Sequence, residues 1–150
     1  SIVDDIFAKG LLRLGLITDA AKKWQIQIWA PHGISHWLGL DVHDVGGYPT
    51  PTGEDRLLEP GMIFTIEPGL YIRESSIARI QSLRSKEFSD EELEEFRRAV
   101  APAVSRYLNI GVRIEDDILI TKEGTVNLSQ SAPKTISAIE ALMMKKGKFK

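Results

Sequence analysis

Near the start of the chain, Ile2, Val3, Ile6, Phe7, Leu11 and Leu14 recur at three- and four-residue intervals, with Lys9 and Arg13 on the opposite side. That period predicts an amphipathic helix over residues 2–14, with Gly15 as its stop. Asp19 is placed to cap a second short helix over residues 20–24, and residues 25–30 read as a short extended piece. Trp24 and Trp29 are expected in the core.

The period then changes. Tyr48-Pro49-Thr50-Pro51-Thr52-Gly53 is a loop of turn formers, and Leu57-Leu58-Glu59-Pro60-Gly61 is a turn that launches Met62-Ile63-Phe64-Thr65-Ile66-Glu67. This β-branched run reads as a strand, with Met62, Phe64 and Ile66 on one face and Ile63, Thr65 and Glu67 on the other. Pro68-Gly69 ends or bends it, and residues 70–73 form a short strand of their own. Ser89-Asp90-Glu91-Glu92 is a capping signature, followed by Leu93, Phe96, Val100, Val104 and Tyr107 at helical spacing, with Pro102 inside the run. Residues 111–121 alternate again: Val112, Ile114, Ile118 and Ile120 share a face, and Arg113, Glu115 and Asp117 share the other. Three charged groups on one strand face are costly to bury, so that face meets water or a ligand. Glu123-Gly124 is a turn, and a closing helix starts at Thr135 or Ser137 and runs to Met144.

Composition narrows the function classes. The chain has 150 residues, one domain's worth, and a net charge of −2. That balance gives no electrostatic reason to expect nucleic acid or an acidic membrane. The basic tail Lys145-Lys146-Gly147-Lys148-Phe149-Lys150 reads as a solvated end. There are no cysteines, which excludes disulfides and thiolate metal sites. No apolar run reaches the roughly 18 residues that span a bilayer, and a cytoplasmic location is expected. The chain opens on Ser1, and a piece of a longer protein is expected.

All three histidines fall between Pro31 and Gly47, at positions 32, 36 and 43, among glycines and aspartates. Imidazole is the usual ligand of borderline metals and the usual proton carrier near neutral pH. Any one histidine more often satisfies backbone groups, but three within twelve residues point to a site. Gly33 beside Pro31 argues against a stable helix here, and no Glu follows His32, so a two-histidine zinc helix is not expected. Further ligands must come from the carboxylates. Glu67 and Glu115 each lie on the more polar face of an alternating run. Alone, each is an ordinary exposed strand residue; with His36 they make one nitrogen and two oxygens suited to Mn, Fe, Co or Zn. Arg113, two residues before Glu115 on the same face, is placed to orient it.

Three ordered blocks carry a family resemblance. His32-Gly33-Ile34-Ser35-His36-Trp37-Leu38-Gly39-Leu40-Asp41-Val42-His43-Asp44, then Glu59-Pro60-Gly61-Met62 with Glu67-Pro68-Gly69-Leu70-Tyr71, then Gly111-Val112-Arg113-Ile114-Glu115-Asp116-Asp117 resemble the signature blocks in the C-terminal half of Xaa-Pro aminopeptidase (aminopeptidase P) and its relative prolidase. The resemblance runs from about residue 2 to residue 144. It implies an α/β (α+β) "pita-bread" fold, a curved antiparallel sheet flanked by helices. It also implies two divalent metal ions, commonly manganese, with cobalt or zinc as alternatives. His36 would be a terminal ligand, Glu67 a ligand and acid/base shuttle for the attacking hydroxide, and Glu115 a bridging ligand. His32 and His43 would contact substrate and stabilise the tetrahedral intermediate. Arg113 would hold the ligand set in place.

The family supplies two further aspartate ligands from a hairpin in the first half of the fold, and no block here resembles it; Asp4 and Asp5 sit in a predicted helix. The segment from about 74 to 109 resembles a helical insertion, longer than in the shorter bacterial aminopeptidases. Residues 1–150 are therefore expected to form the C-terminal half of a metallopeptidase catalytic domain, holding one metal or none and poorly active alone. The substrate implied is a peptide with proline at its second position. Val45-Gly46-Gly47-Tyr48-Pro49 leans toward prolidase, an Xaa-Pro dipeptidase, and Ser35-His36-Trp37 toward the aminopeptidase. A metal-free pita-bread binding module is the remaining alternative, and the homo-oligomers of the family leave a dimer or tetramer open.

Overall fold

The structure, a computed structural model, describes residues 2–49, 52–82 and 88–145. Thr50 and Pro51 of the expected loop, Lys146 to Lys150 of the basic tail and residues 83–87 of the expected insertion lie outside the described residues. The chain divides into two compact units, residues 1–33 with 68–113 and residues 34–67 with 114–150.

The first unit is helical. α1 (Ile2–Leu14) forms where the periodicity places it and ends at Gly15, whose φ of 73° lets the Leu16 amide donate back to the Leu11 carbonyl at 2.9 Å. α2 (Lys23–Trp29) corrects the expectation of a helix over 20–24 and an extended piece at 25–30. Ile26 and Ile28 favour a strand by local propensity, but five of these seven residues are buried, and burial on all sides overrides propensity. Asp19 accepts from the Ala21 amide at 2.8 Å in a turn rather than capping the helix. Trp29, fully buried, donates its indole N–H to the Leu16 carbonyl at 2.8 Å.

Two more helices belong to this unit. α3 (Glu74–Ser82) precedes α4 (Asp90–Tyr107), which is capped by Ser89, whose hydroxyl accepts from the Glu92 amide at 3.1 Å. Leu93, Phe96 and Val100 of α4 join Leu11, Leu16, Trp24, Ile28 and Trp29 in the core. Lys22 pairs with Glu92, a hydrogen bond that raises the lysine above its ordinary range.

In the second unit β1 (Ile63–Ile66) pairs antiparallel with β4 (Asp116–Thr121), and β4 with β5 (Gly124–Asn127). β2 (Gly69–Tyr71) and β3 (Gly111–Arg113) pair antiparallel in the first unit. The alternating run 111–121 is thus two strands in two sheets, divided at Ile114 and Glu115. Period-two alternation is blind to such a break, because each half keeps its own parity. α5 (Ile136–Met143) closes the described chain, capped by Thr135, whose hydroxyl accepts from the Ala138 amide at 3.2 Å. Among the described residues the second unit buries only Thr65 and Glu67, while Leu40, Val45, Ile136 and Met143 stand open.

Candidate metal centre

Strand register assembles the site. The last rung between β1 and β4 pairs Ile66 with Asp116; one step further, Glu67 and Glu115 stand opposite each other. On the other edge of β1 the Thr65 amide donates to the His36 carbonyl at 2.9 Å and the Glu67 amide to the Ile34 carbonyl at 2.8 Å. His36 therefore lies beside Thr65, on the parity that also carries Glu67. One face of three neighbouring segments presents all three side chains.

Ligand-capable atoms of His36, Glu67 and Glu115 lie within 4.8 Å of one another, and this is the one such set among the described residues. His36 Nδ1 donates to the Trp37 carbonyl at 3.0 Å, which leaves Nε2 of a neutral ring as a lone pair. That nitrogen faces Glu67 Oε1 at 3.1 Å. A lone pair and a carboxylate oxygen so close repel unless a proton or a metal cation lies between them. Donors to one cation at about 2.0–2.2 Å stand at most about 4.4 Å apart, so a small turn of the exposed Glu115 closes the set. One nitrogen and two oxygens suit a divalent metal of the manganese-to-zinc series.

Glu67 is 8% exposed and held by its surroundings. Thr65, 1% exposed, accepts from the His36 amide at 3.1 Å through its hydroxyl, whose own proton is then free to point at Glu67 Oε1, 3.4 Å away. The sequence had placed Thr65 on the Glu67 face without giving it a role; spacing of two along a strand was the available signal.

The other candidates divide between the units. The His43 ring packs edge-on against His36, with centroids 4.3 Å apart. His32 belongs to the first unit, where its Nδ1 donates to the Gly33 carbonyl at 2.7 Å and its Nε2 accepts from the Tyr71 hydroxyl at 3.1 Å. Tyr71, at the end of β2, has no role assigned from the sequence. Arg113, also in the first unit, ends β3 opposite Gly69. Around His43 the loop is braced by Asp44, which accepts from the Leu40 and Val45 amides, and by Trp37, stacked on Tyr48 with centroids 5.7 Å apart. Beside Glu115, Lys134 holds the Asp116 carboxyl below the usual carboxylate range, helped by Asn127 and Ser129.

Residues 5–122 match the model of metallopeptidase family M24. The chain belongs to that family. It is 41% identical over 145 residues to an Xaa-Pro aminopeptidase of Escherichia coli (strain K12), covering 93% of this chain and 26% of that protein. An Xaa-Pro dipeptidase of Rattus norvegicus is 35% identical over 161 residues, covering 95% of this chain and 30% of its own length. Among solved structures, the aminopeptidase PepP of Pseudomonas aeruginosa superposes with a TM-score of 0.65 at 35% identity, over 93% of this chain and 27% of its own. The chain thus spans about a quarter to three tenths of the length of these relatives. Its antiparallel sheets and helices are those of the M24 pita-bread fold, as the resemblance implied. M24 is a family of metallopeptidases. No helix among the described residues is long and apolar enough to cross a membrane.

Proposed function

We propose that this chain carries the His36, Glu67 and Glu115 side of the metal centre of a proline-directed exopeptidase, a metallo-aminopeptidase that hydrolyses the N-terminal Xaa-Pro bond. The observation that carries this reading is the convergence of one imidazole and two carboxylates within 4.8 Å on one face. When bound, a pair of divalent cations, manganese foremost, would supply a water acidic enough to attack a peptide carbonyl near neutral pH. His36 and Glu67 would bind one side of that pair, and Glu115 would bridge it.

Glu67 is the acid/base residue in this reading. Its buried carboxylate would take the proton from the attacking water and pass it to the departing proline nitrogen. His43, packed on His36, and His32 would donate to the oxyanion as it forms. Arg113 would hold the ligand set.

Three protein ligands fall short of a bridged pair, and the second unit leaves apolar residues such as Leu40, Val45, Ile136 and Met143 open. We therefore read residues 1–150 as the C-terminal part of a larger catalytic domain, with the helices between about 74 and 109 as an insertion and poor activity alone. The place of action in this reading is the cytoplasm, and the partner is a peptide with proline second. The 35% identity to a dipeptidase supports Xaa-Pro dipeptides as the alternative substrate.

The test is manganese-dependent hydrolysis of an Xaa-Pro-Xaa tripeptide and an Xaa-Pro dipeptide, by the chain alone and after joining it to the preceding part of a relative's catalytic domain, with Glu67→Ala as control. Activity gained on joining and lost in the control supports the reading, and the preferred length names the substrate. No metal binding and no hydrolysis by the joined protein would overturn it in favour of a binding module.

A further inference from the structure

Asp116 breaks the apolar parity of its strand, a polar residue in register with Ile118 and Ile120. Its Oδ1 accepts from Asn127 Nδ2 at 2.6 Å, Ser129 Oγ at 3.0 Å and Lys134 Nζ at 2.9 Å. Ser129 Oγ in turn accepts from the Asp117 amide at 3.0 Å, and the Leu128 amide donates to the Asp117 carbonyl at 2.8 Å. Lys134 directs its remaining donors to the carbonyls of Ser129 at 2.9 Å and Ala132 at 3.3 Å. All three ammonium protons are then engaged, which fixes the ammonium in place. The register explains the meeting: the turn after Thr121 sends β5 back along β4 and pairs Asn127 with Ile118, two residues from Asp116.

The location gives this cluster a consequence. Asn127, Ser129 and Lys134 all lie after residue 122, where the family match ends. Glu115 lies between β3 and β4, immediately before β4 and two residues past the end of β3, and is exposed. Its backbone position is set by its neighbours, and consecutive Cα atoms are about 3.8 Å apart, so Asp116 governs where Glu115 stands. A metal ligand must be held to within about 0.5 Å.

We propose that Asp116, Asn127, Ser129 and Lys134 form a positioning clamp that fixes the backbone of Glu115 for metal binding. The proposal rests on the metal-centre reading above. Asp116 points away from the Glu115 face, so the clamp works from behind the strand, through the main chain.

Ser129→Ala removes the hydroxyl that joins Asp116 to the Asp117 amide, Ser129→Thr keeps it, and Lys134→Met keeps the stem without the ammonium. Two readouts separate positioning from stability: amide hydrogen exchange at residues 115–117 of the metal-free chain, with the Ile120 amide of the same unit, which donates to the Met62 carbonyl, as reference, and Mn2+ affinity from the electron paramagnetic resonance signal of free Mn2+. Exchange at 115–117 is expected to rise about tenfold relative to Ile120 in Ser129→Ala and Lys134→Met. Mn2+ binding is expected to weaken about tenfold, and Ser129→Thr to restore both. Exchange that rises no more at 115–117 than at Ile120, or Mn2+ affinity equal to the unmodified chain's, overturns the clamp. If the unmodified chain binds no more Mn2+ than Glu67→Ala does, the metal-centre reading fails instead, and the exchange result alone decides whether Glu115 is clamped.

Discussion

Thr65→Val is the substitution that most directly probes the candidate centre without touching a ligand. The side chain keeps its shape and its 1% exposure, so packing is preserved and only the hydroxyl is lost. Two bonds go with it: the 3.1 Å bond from the His36 amide and the longer 3.4 Å approach to Glu67 Oε1. The first dominates, because a part-buried N–H left without an acceptor costs about 1–3 kcal/mol. The second is long, and its loss is felt in the freedom of Glu67 rather than in stability. Urea unfolding followed by circular dichroism should show a midpoint lower by about 0.5–1.5 M, taking a slope of about 2 kcal/mol per M. Mn2+ affinity should fall about tenfold as His36 and Glu67 lose their common partner. Thr65→Ser keeps the hydroxyl and gives up a methyl, costing about 1 kcal/mol while holding the affinity near that of the unmodified chain. If Thr65→Ser weakens Mn2+ binding as much as Thr65→Val, the hydroxyl is not what holds the two ligands, and the argument fails.

Two further outcomes follow from the same geometry. A Cβ on Gly69 would stand 2.8 Å from the Tyr71 hydroxyl and 2.9 Å from His32 Nε2, so Gly69→Ala should separate that pair at a cost of about 1–3 kcal/mol; an unchanged nuclear Overhauser contact between the two rings would contradict this. Lys22 is raised above its ordinary 10.5 chiefly by its hydrogen bond to Glu92, so its contribution to stability is complete below pH 10.5 and lost as pH rises through the raised value. Thermal melts between pH 9 and 12 should therefore show the unmodified chain converging on Lys22→Met at the alkaline end; a difference that is constant with pH would argue that the pair does not act through charge.

Local chemistry read along the sequence was sufficient for α1, α4 and α5, because their period, their caps at Ser89 and Thr135 and the stop at Gly15 are all set by residues within a turn of one another. It also singled out His36, Glu67 and Glu115 as candidate ligands, since three clustered histidines and two carboxylates on polar strand faces are visible without coordinates. Other features depended on contacts between distant segments. Residues 25–29 became helix because the core surrounds them, against the preference of Ile26 and Ile28. Ile114 and Glu115 divide one alternating run into two sheets, a break that alternation cannot register. The pairing of Ile66 with Asp116 puts Glu67 opposite Glu115, and the return of β5 gives Asp116 its partners at 127, 129 and 134. Strand parity says which face a side chain takes, but register says whom it meets, and register is settled by hydrogen bonds between residues tens of positions apart.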